Sequence, residues 1–159
     1  MQAICSKKRA RADTPWRSVR SKEAQDAARC ARAEELARAF VEARTEREHK
    51  GVQLAECLYQ HLSAVWEGVM LPQLQRGSPR LVCDIDTPAL RPVLGVNDAR
   101  APIDLNDGRP RREVLDAAIA ELERRYACPV DLLMERTIDA ETRHFSFAAR
   151  VAIHYREPL

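Results

Sequence analysis

The stretch from Val52 to Leu71, VQLAECLYQHLSAVWEGVML, constrains the rest of the chain more than any other. Ala55, Leu58, Leu62, Val65 and Val69 recur at alternating steps of three and four, which lines five apolar side chains along one helical stripe. Cys57, Tyr59 and Trp66 widen that surface. A helix this apolar has to be covered, either by the rest of its own chain or by a second copy. Leu58, Leu62, Val65, Trp66 and Val69 are therefore the candidate interface, toward a protein partner or a homo-oligomer.

Upstream, residues 21 to 50 are Ala, Arg and Glu with hardly a breaker. Thr14-Pro15 offers a helix start, with Thr as cap and Pro at the first helical position; Ser21 followed by Glu23 offers a second. The apolar stripe here is thin, Leu36, Phe40 and Ala43 with Val41 beside it, and reads as an exposed helix with one narrow contact seam. Glu34–Arg38 is a favourable i, i+4 pair, and Arg44–Glu48 has the weaker reverse order. Carrying the Val52–Leu71 stripe backwards meets Glu48 and Arg44, so the two seams are out of phase. Gly51 stands at the mismatch, and glycine costs a helix interior roughly 1 kcal/mol. A break or bend is expected near His49–Gly51, leaving residues 21–76 as one long helix or a helix pair.

Arg76-Gly77-Ser78-Pro79 stops the helical segment, and the pattern changes. Leu81-Val82-Cys83-Asp84-Ile85-Asp86 alternates as a strand does, and Thr87-Pro88 ends or turns it. Arg91–Val96 and Pro102–Leu105 read as short strands, the second of edge type because proline cannot donate to a ladder. Asn97-Asp98 and Asn106-Asp107-Gly108 are turn signals. Pro110 to Tyr126 is a clear helix whose apolar face is Val114, Leu115, Ala118, Ile119, Leu122 and Tyr126. A hairpin follows. Val130, Leu132, Met134 and Ile138 share one face, with Arg136 the exception; Asp139 to Thr142 turns the chain; Phe145, Phe147, Ala149, Val151, Ile153 and Tyr155 alternate with polar or small residues. The helix 110–126 is the local cover for the apolar face. The fold class is α+β: an N-terminal helical segment followed by a small antiparallel sheet packed on one helix, in the order α-α-β-β-(β)-α-β-β. Residues 79–159 form the sheet region, one domain with 52–76. No residue motif ties the chain to a family.

Charge is unevenly spread. Among residues 1–22, Lys7, Lys8, Arg9, Arg11, Arg17, Arg20 and Lys22 stand against Asp13 alone, a net of +6 in a chain whose total is +2. Residues 1–20 are a basic arm, expected to be disordered in isolation. Seven cations on a mobile segment suit sequence-independent, salt-sensitive binding to DNA or RNA, and they are the candidate nucleic-acid-binding residues. Arg109, Arg111 and Arg112 form a second basic cluster at a helix start. Five scattered cysteines without a C-x-x-C pair read as reduced thiols of a cytoplasmic protein. No apolar run is long enough for a membrane span, and the N-terminus does not read as a secretory signal.

Chemistry is sparse. Asp84 and Asp86 lie on one strand face, about 7 Å apart, and two such carboxylates can hold a divalent metal for phosphoester hydrolysis. The D-x-D-x-T pattern fails at Pro88, and lysine is absent after Lys50. Cys57 and His61, at i, i+4, are half of a zinc site without a second half. No glycine-rich phosphate loop occurs. No cofactor, metal or catalytic residue is expected. The sequence points to a non-enzymatic accessory or adaptor protein that self-associates or docks a partner through its helical segment, with a basic arm suited to nucleic acid. The alternatives are a pure interaction or assembly module, chaperone-like or of the phage and mobile-element type, and a metal-dependent hydrolase using Asp84 and Asp86.

Overall fold

Gly51 does not break the first helix. In a computed structural model that describes residues 15–95, 98–104 and 110–155, with side chains from residue 21 onward, helix α1 runs from Pro15 to Ala64 without interruption. The reason lies across from it, on helix α4 (Arg112–Tyr126). A Cβ placed on Gly51 would overlap the Ala117 methyl and stand 2.8 Å from the Val114 carbonyl oxygen and 3.0 Å from the Ala118 nitrogen. The glycine is the point at which two helix backbones touch, and its lost propensity is exchanged for close packing. The expected break is thus corrected to a crossing. The buried face of α1 passes from Gly51 through Leu54, Ala55 and Leu58 to Leu62. Upstream, Arg47 and Lys50 continue it half-buried: their stems lie along the protein while Arg47 pairs with Glu113 at 3.5 Å and Lys50 with Glu46.

The period slips after Ala64. Trp66–Met70 is a π-turn, followed by the short helix α2 (Leu71–Gln75). A π-turn holds more residues than an α-turn, so Met70 takes the buried place that α-helical spacing assigns to Val69, which is left 39% exposed. Gly77 ends α2 with a positive φ of 75°, its N–H donating to the Leu74 carbonyl and that of Ser78 to Gln73, a Schellman-type stop as the sequence indicated.

The sheet has three strands, β1 (Arg80–Asp86), β4 (Val130–Ile138) and β5 (Phe145–His154), in the antiparallel order β1-β5-β4. Leu81 pairs with Ile153, Cys83 with Val151 and Ile85 with Ala149; across β5, Val130 pairs with Ile153 and Leu132 with Val151. These residues share the core face, as the alternation predicts. Between β1 and α4 lie a one-turn helix α3 (Thr87–Leu90), a 3₁₀ turn Arg91–Val93, and two-residue strands β2 (Leu94–Gly95) and β3 (Ile103–Asp104). The two small strands were expected in the antiparallel sheet. They pair instead with each other, in parallel, as a separate ladder. The turn expected at Asn106-Asp107-Gly108 lies outside the described residues, as does Asn97. The hairpin turn after β4 is closed by Asp139, whose carboxylate accepts from the Glu141 N–H at 2.9 Å while Arg143 takes a φ of 54°.

Two side chains act as surrogate backbone. The Gln73 amide accepts from the Val82 N–H at 2.9 Å and donates to the Val82 carbonyl at 2.8 Å, the two bonds a neighbouring strand would make on the outer edge of β1. The Thr87 hydroxyl likewise accepts from the Phe147 N–H and donates to its carbonyl, adding one rung beyond the end of β1.

Leu54, Leu58, Leu62, Met70, Val114, Ala118 and Leu122 from the helices meet Ile85, Phe147 and Val151 from the sheet in a single core, and no polar or charged residue is buried among the described residues. The cover over the sheet is therefore shared by α1 and α4, where the sequence singled out α4 alone. At the border of that core, Tyr126 stacks on Trp66 with ring centroids 6.3 Å apart and tilts against Tyr59 at 5.5 Å. Burial pushes the Tyr126 phenol up to about 12, and its hydroxyl oxygen is enclosed without a hydrogen-bond partner. Tyr126→Phe removes an unsatisfied polar atom and keeps the ring, so it is expected to raise stability by about 1 kcal/mol in urea denaturation. A loss of stability would show that the hydroxyl is bonded.

Beside the rings, Glu121 accepts two bonds from Arg124, at 2.7 and 2.9 Å, and one from Arg125, which also pairs with Glu56 of α1. The two guanidiniums hold the Glu121 carboxyl at about 2, well under its usual value near 4.5. A depressed carboxylate stabilises the fold above its unfolded pKa, and this contribution fades as pH falls from about 4.5 toward 2. Glu121→Gln is expected to flatten the stability profile across that window. Parallel profiles for the two proteins between pH 2 and 6 would rule the linkage out.

Candidate functional site

Two compact units divide the chain at Glu42, residues up to Glu42 and residues from Ala43 onward. In the second, the candidate interface of the apolar stripe is largely consumed. Leu58 and Leu62 are 0% exposed in the chain's own core, and Val65 and Trp66 are half-buried against it. The stripe is covered by its own chain, so Leu58 and Leu62 are corrected from interface to core. Only Val69 of the five is exposed.

The first unit presents the opposite case. Every residue from 21 to 42 is exposed, and Leu36, Phe40 and Val41 are 63%, 69% and 61% accessible. At 100° per residue, Cys30, Ala33, Leu36, Ala37, Phe40 and Val41 fall within an arc of about 140°. Arg32, Glu34, Glu35 and Arg38 all lie outside that arc. The result is an uncharged seam over three turns of helix whose described side chains are all exposed. Glu34 and Arg38, an i, i+4 pair by spacing, make no ion pair among the described residues, whereas Arg44 and Glu48, in the weaker order, do at 2.9 Å. The sequence showed this seam as a thin stripe but ranked it behind the richer one downstream. The richer stripe proved to be core because it is rich.

Of the basic residues, Lys22 is exposed on α1. Lys7, Lys8, Arg9 and Arg11 lie outside the described residues, as do the side chains of Arg17 and Arg20, although the backbone of both belongs to α1. In the second basic cluster Arg109 is outside them too, Arg111 precedes α4, and Arg112 stands 3.8 Å from Asp116.

The remaining candidates sit on the second unit. Asp84 and Asp86 share the outer face of the sheet with Arg150, which lies opposite Asp84 on β5. The Arg150 guanidinium donates to both Asp84 oxygens, at 2.7 and 3.4 Å, and holds the carboxyl below its ordinary range. Asp86 and Glu135 flank Ala148 beside that pair. A carboxylate already bridged by a guanidinium is poorly placed to ligate a cation. Cys57 donates to the Ala89 carbonyl at 3.3 Å, and burial pushes its thiol up, the opposite direction from an activated nucleophile. It lines a cleft of about 530 Å³ with Gln53, Glu56, Gln60 and Pro92. Among the described residues no three His, Cys, Asp or Glu side chains converge closely enough to hold a metal ion, and no helix is long and apolar enough to cross a membrane. Cys30, Cys57, Cys83 and Cys128 are all free thiols.

The chain matches no protein-family model, no curated protein and no solved structure. Its function has to be read from its own geometry.

Proposed function

We propose that the chain is a non-enzymatic accessory or adaptor protein whose contact element is the exposed half of α1, with the basic N-terminal segment adding non-specific affinity for nucleic acid. The carrying observation is the seam of Leu36, Phe40 and Val41, among the described residues the largest grouping of exposed apolar side chains on one helix face. Large exposed apolar side chains grouped on one face mark contact surfaces. The net +6 within residues 1–22 supports the nucleic-acid part through counterion release. The scattered free thiols fit a reducing, cytoplasmic setting.

The two parts separate experimentally. Full-length protein is expected to retard a labelled oligonucleotide of arbitrary sequence at low salt, with affinity falling steeply as salt rises. Replacing Lys7, Lys8, Arg9 and Arg11 by alanine should weaken that binding tenfold or more. Equal binding by both proteins, or none by either, removes nucleic acid from the reading. For the seam, Leu36→Glu with Phe40→Glu should leave the fold intact, because both side chains are exposed, and abolish association measured by sedimentation or by co-purification. Unchanged association would remove the seam.

A further inference from the structure

We infer that the occupant of this seam is a second copy of the same helix, set antiparallel and centred on Leu36; the inference rests on the docking reading above and names its partner. A two-fold axis through Leu36 places each residue level with the one equally far on the other side. Glu34 then stands level with Arg38 of the other copy, and Arg38 with its Glu34, along the same edge of the pair. Among the described residues neither charge has an ion-pair partner, despite a spacing that permits one. Bulk is complementary too: Phe40 comes level with Arg32, which lies off the seam, so the seam side chains nearest it are the small Ala33 and Cys30, one and two positions away, while the two Leu36 side chains meet at the axis. A parallel, in-register pair does neither. It sets Phe40 against Phe40, Ala33 against Ala33, and Glu34 level with Glu34. The contact is small, on the order of 1,000 Å² in total, at the low end for a specific interface, so association is expected in the micromolar range.

Cysteine cross-linking of the full chain reads the orientation directly. In an antiparallel pair centred on Leu36, the two Cys30 residues are twelve positions apart along the axis, about 18 Å, beyond disulfide reach. With Cys5→Ser, native Cys30 should therefore stay monomeric under mild oxidation at tens of micromolar. With Cys5→Ser, Cys30→Ser and Leu36→Cys, a covalent dimer should form. Cross-linking through Cys30 instead would overturn the antiparallel pair. A second measurement uses charge: Glu34→Arg alone should weaken the dimer about fivefold in sedimentation, and Glu34→Arg combined with Arg38→Glu should restore it. Failure of restoration also counts against the pairing. If the protein is monomeric at every concentration, yet Leu36→Glu with Phe40→Glu releases a co-purifying chain, the second-copy inference falls while the docking reading stands. If those substitutions release nothing, both fall.

Discussion

Gly51→Ala is expected to destabilise the protein by about 2 kcal/mol, although alanine is the better helix former. On propensity alone the exchange, in the middle of a fifty-residue helix, gains roughly 1 kcal/mol. The crossing reverses the sign. The added methyl would overlap Ala117 and press on the Val114 carbonyl oxygen and the Ala118 nitrogen, which are held by their own helix. Overpacking of this kind costs roughly 1–3 kcal/mol or more, because two helices have to move apart. Urea denaturation at unchanged m-value measures it. A more stable alanine protein would mean that the backbones of α1 and α4 do not meet at this point.

Leu58→Ala is expected to cost about 3 kcal/mol, within the 2–5 kcal/mol range for emptying a core leucine site. Leu58 is fully buried between sheet and helices. The loss should be independent of protein concentration, since the cavity lies inside one chain. This separates core from interface: a partner-facing leucine would leave the isolated fold nearly unchanged and weaken association instead. A concentration-dependent loss would return Leu58 to the interface where the apolar stripe first placed it.

Much of the architecture was legible in the residues. The β4–β5 hairpin was visible because its alternation is long and one face is packed, and α4 because its stripe keeps a regular helical period. The α2 stop at Gly77 was visible because glycine is the residue that a positive φ requires. What was not legible has a common cause. Gly51 carries the same local signal whether it ends a helix or lets another helix approach, and only the position of Ala117 decides. The π-turn at Trp66–Met70 changes which residue faces inward without any residue type that announces it. Gln73 and Thr87 act through hydrogen bonds to strands nine and sixty residues away, and nothing in their own neighbourhood marks them. The candidate site was half legible for the same reason. The sequence ranked stripes by hydrophobic content, and the richer one was richest because it is the inside of the molecule.

The amide of Gln73 has one consequence for how copies of this chain can meet. An incoming strand aligned on β1 would find the Val82 groups already taken, and would have to evict a side chain anchored in α2 before it could register. One margin of the sheet is thereby closed to recruitment at its midpoint, and on the other the Val130 N–H at the start of β4 donates to the Glu123 carboxylate at 3.1 Å. End-to-end polymerisation needs two open margins per molecule, so a glutamine on one margin and a glutamate on the other both work against this small sheet growing into a fibre.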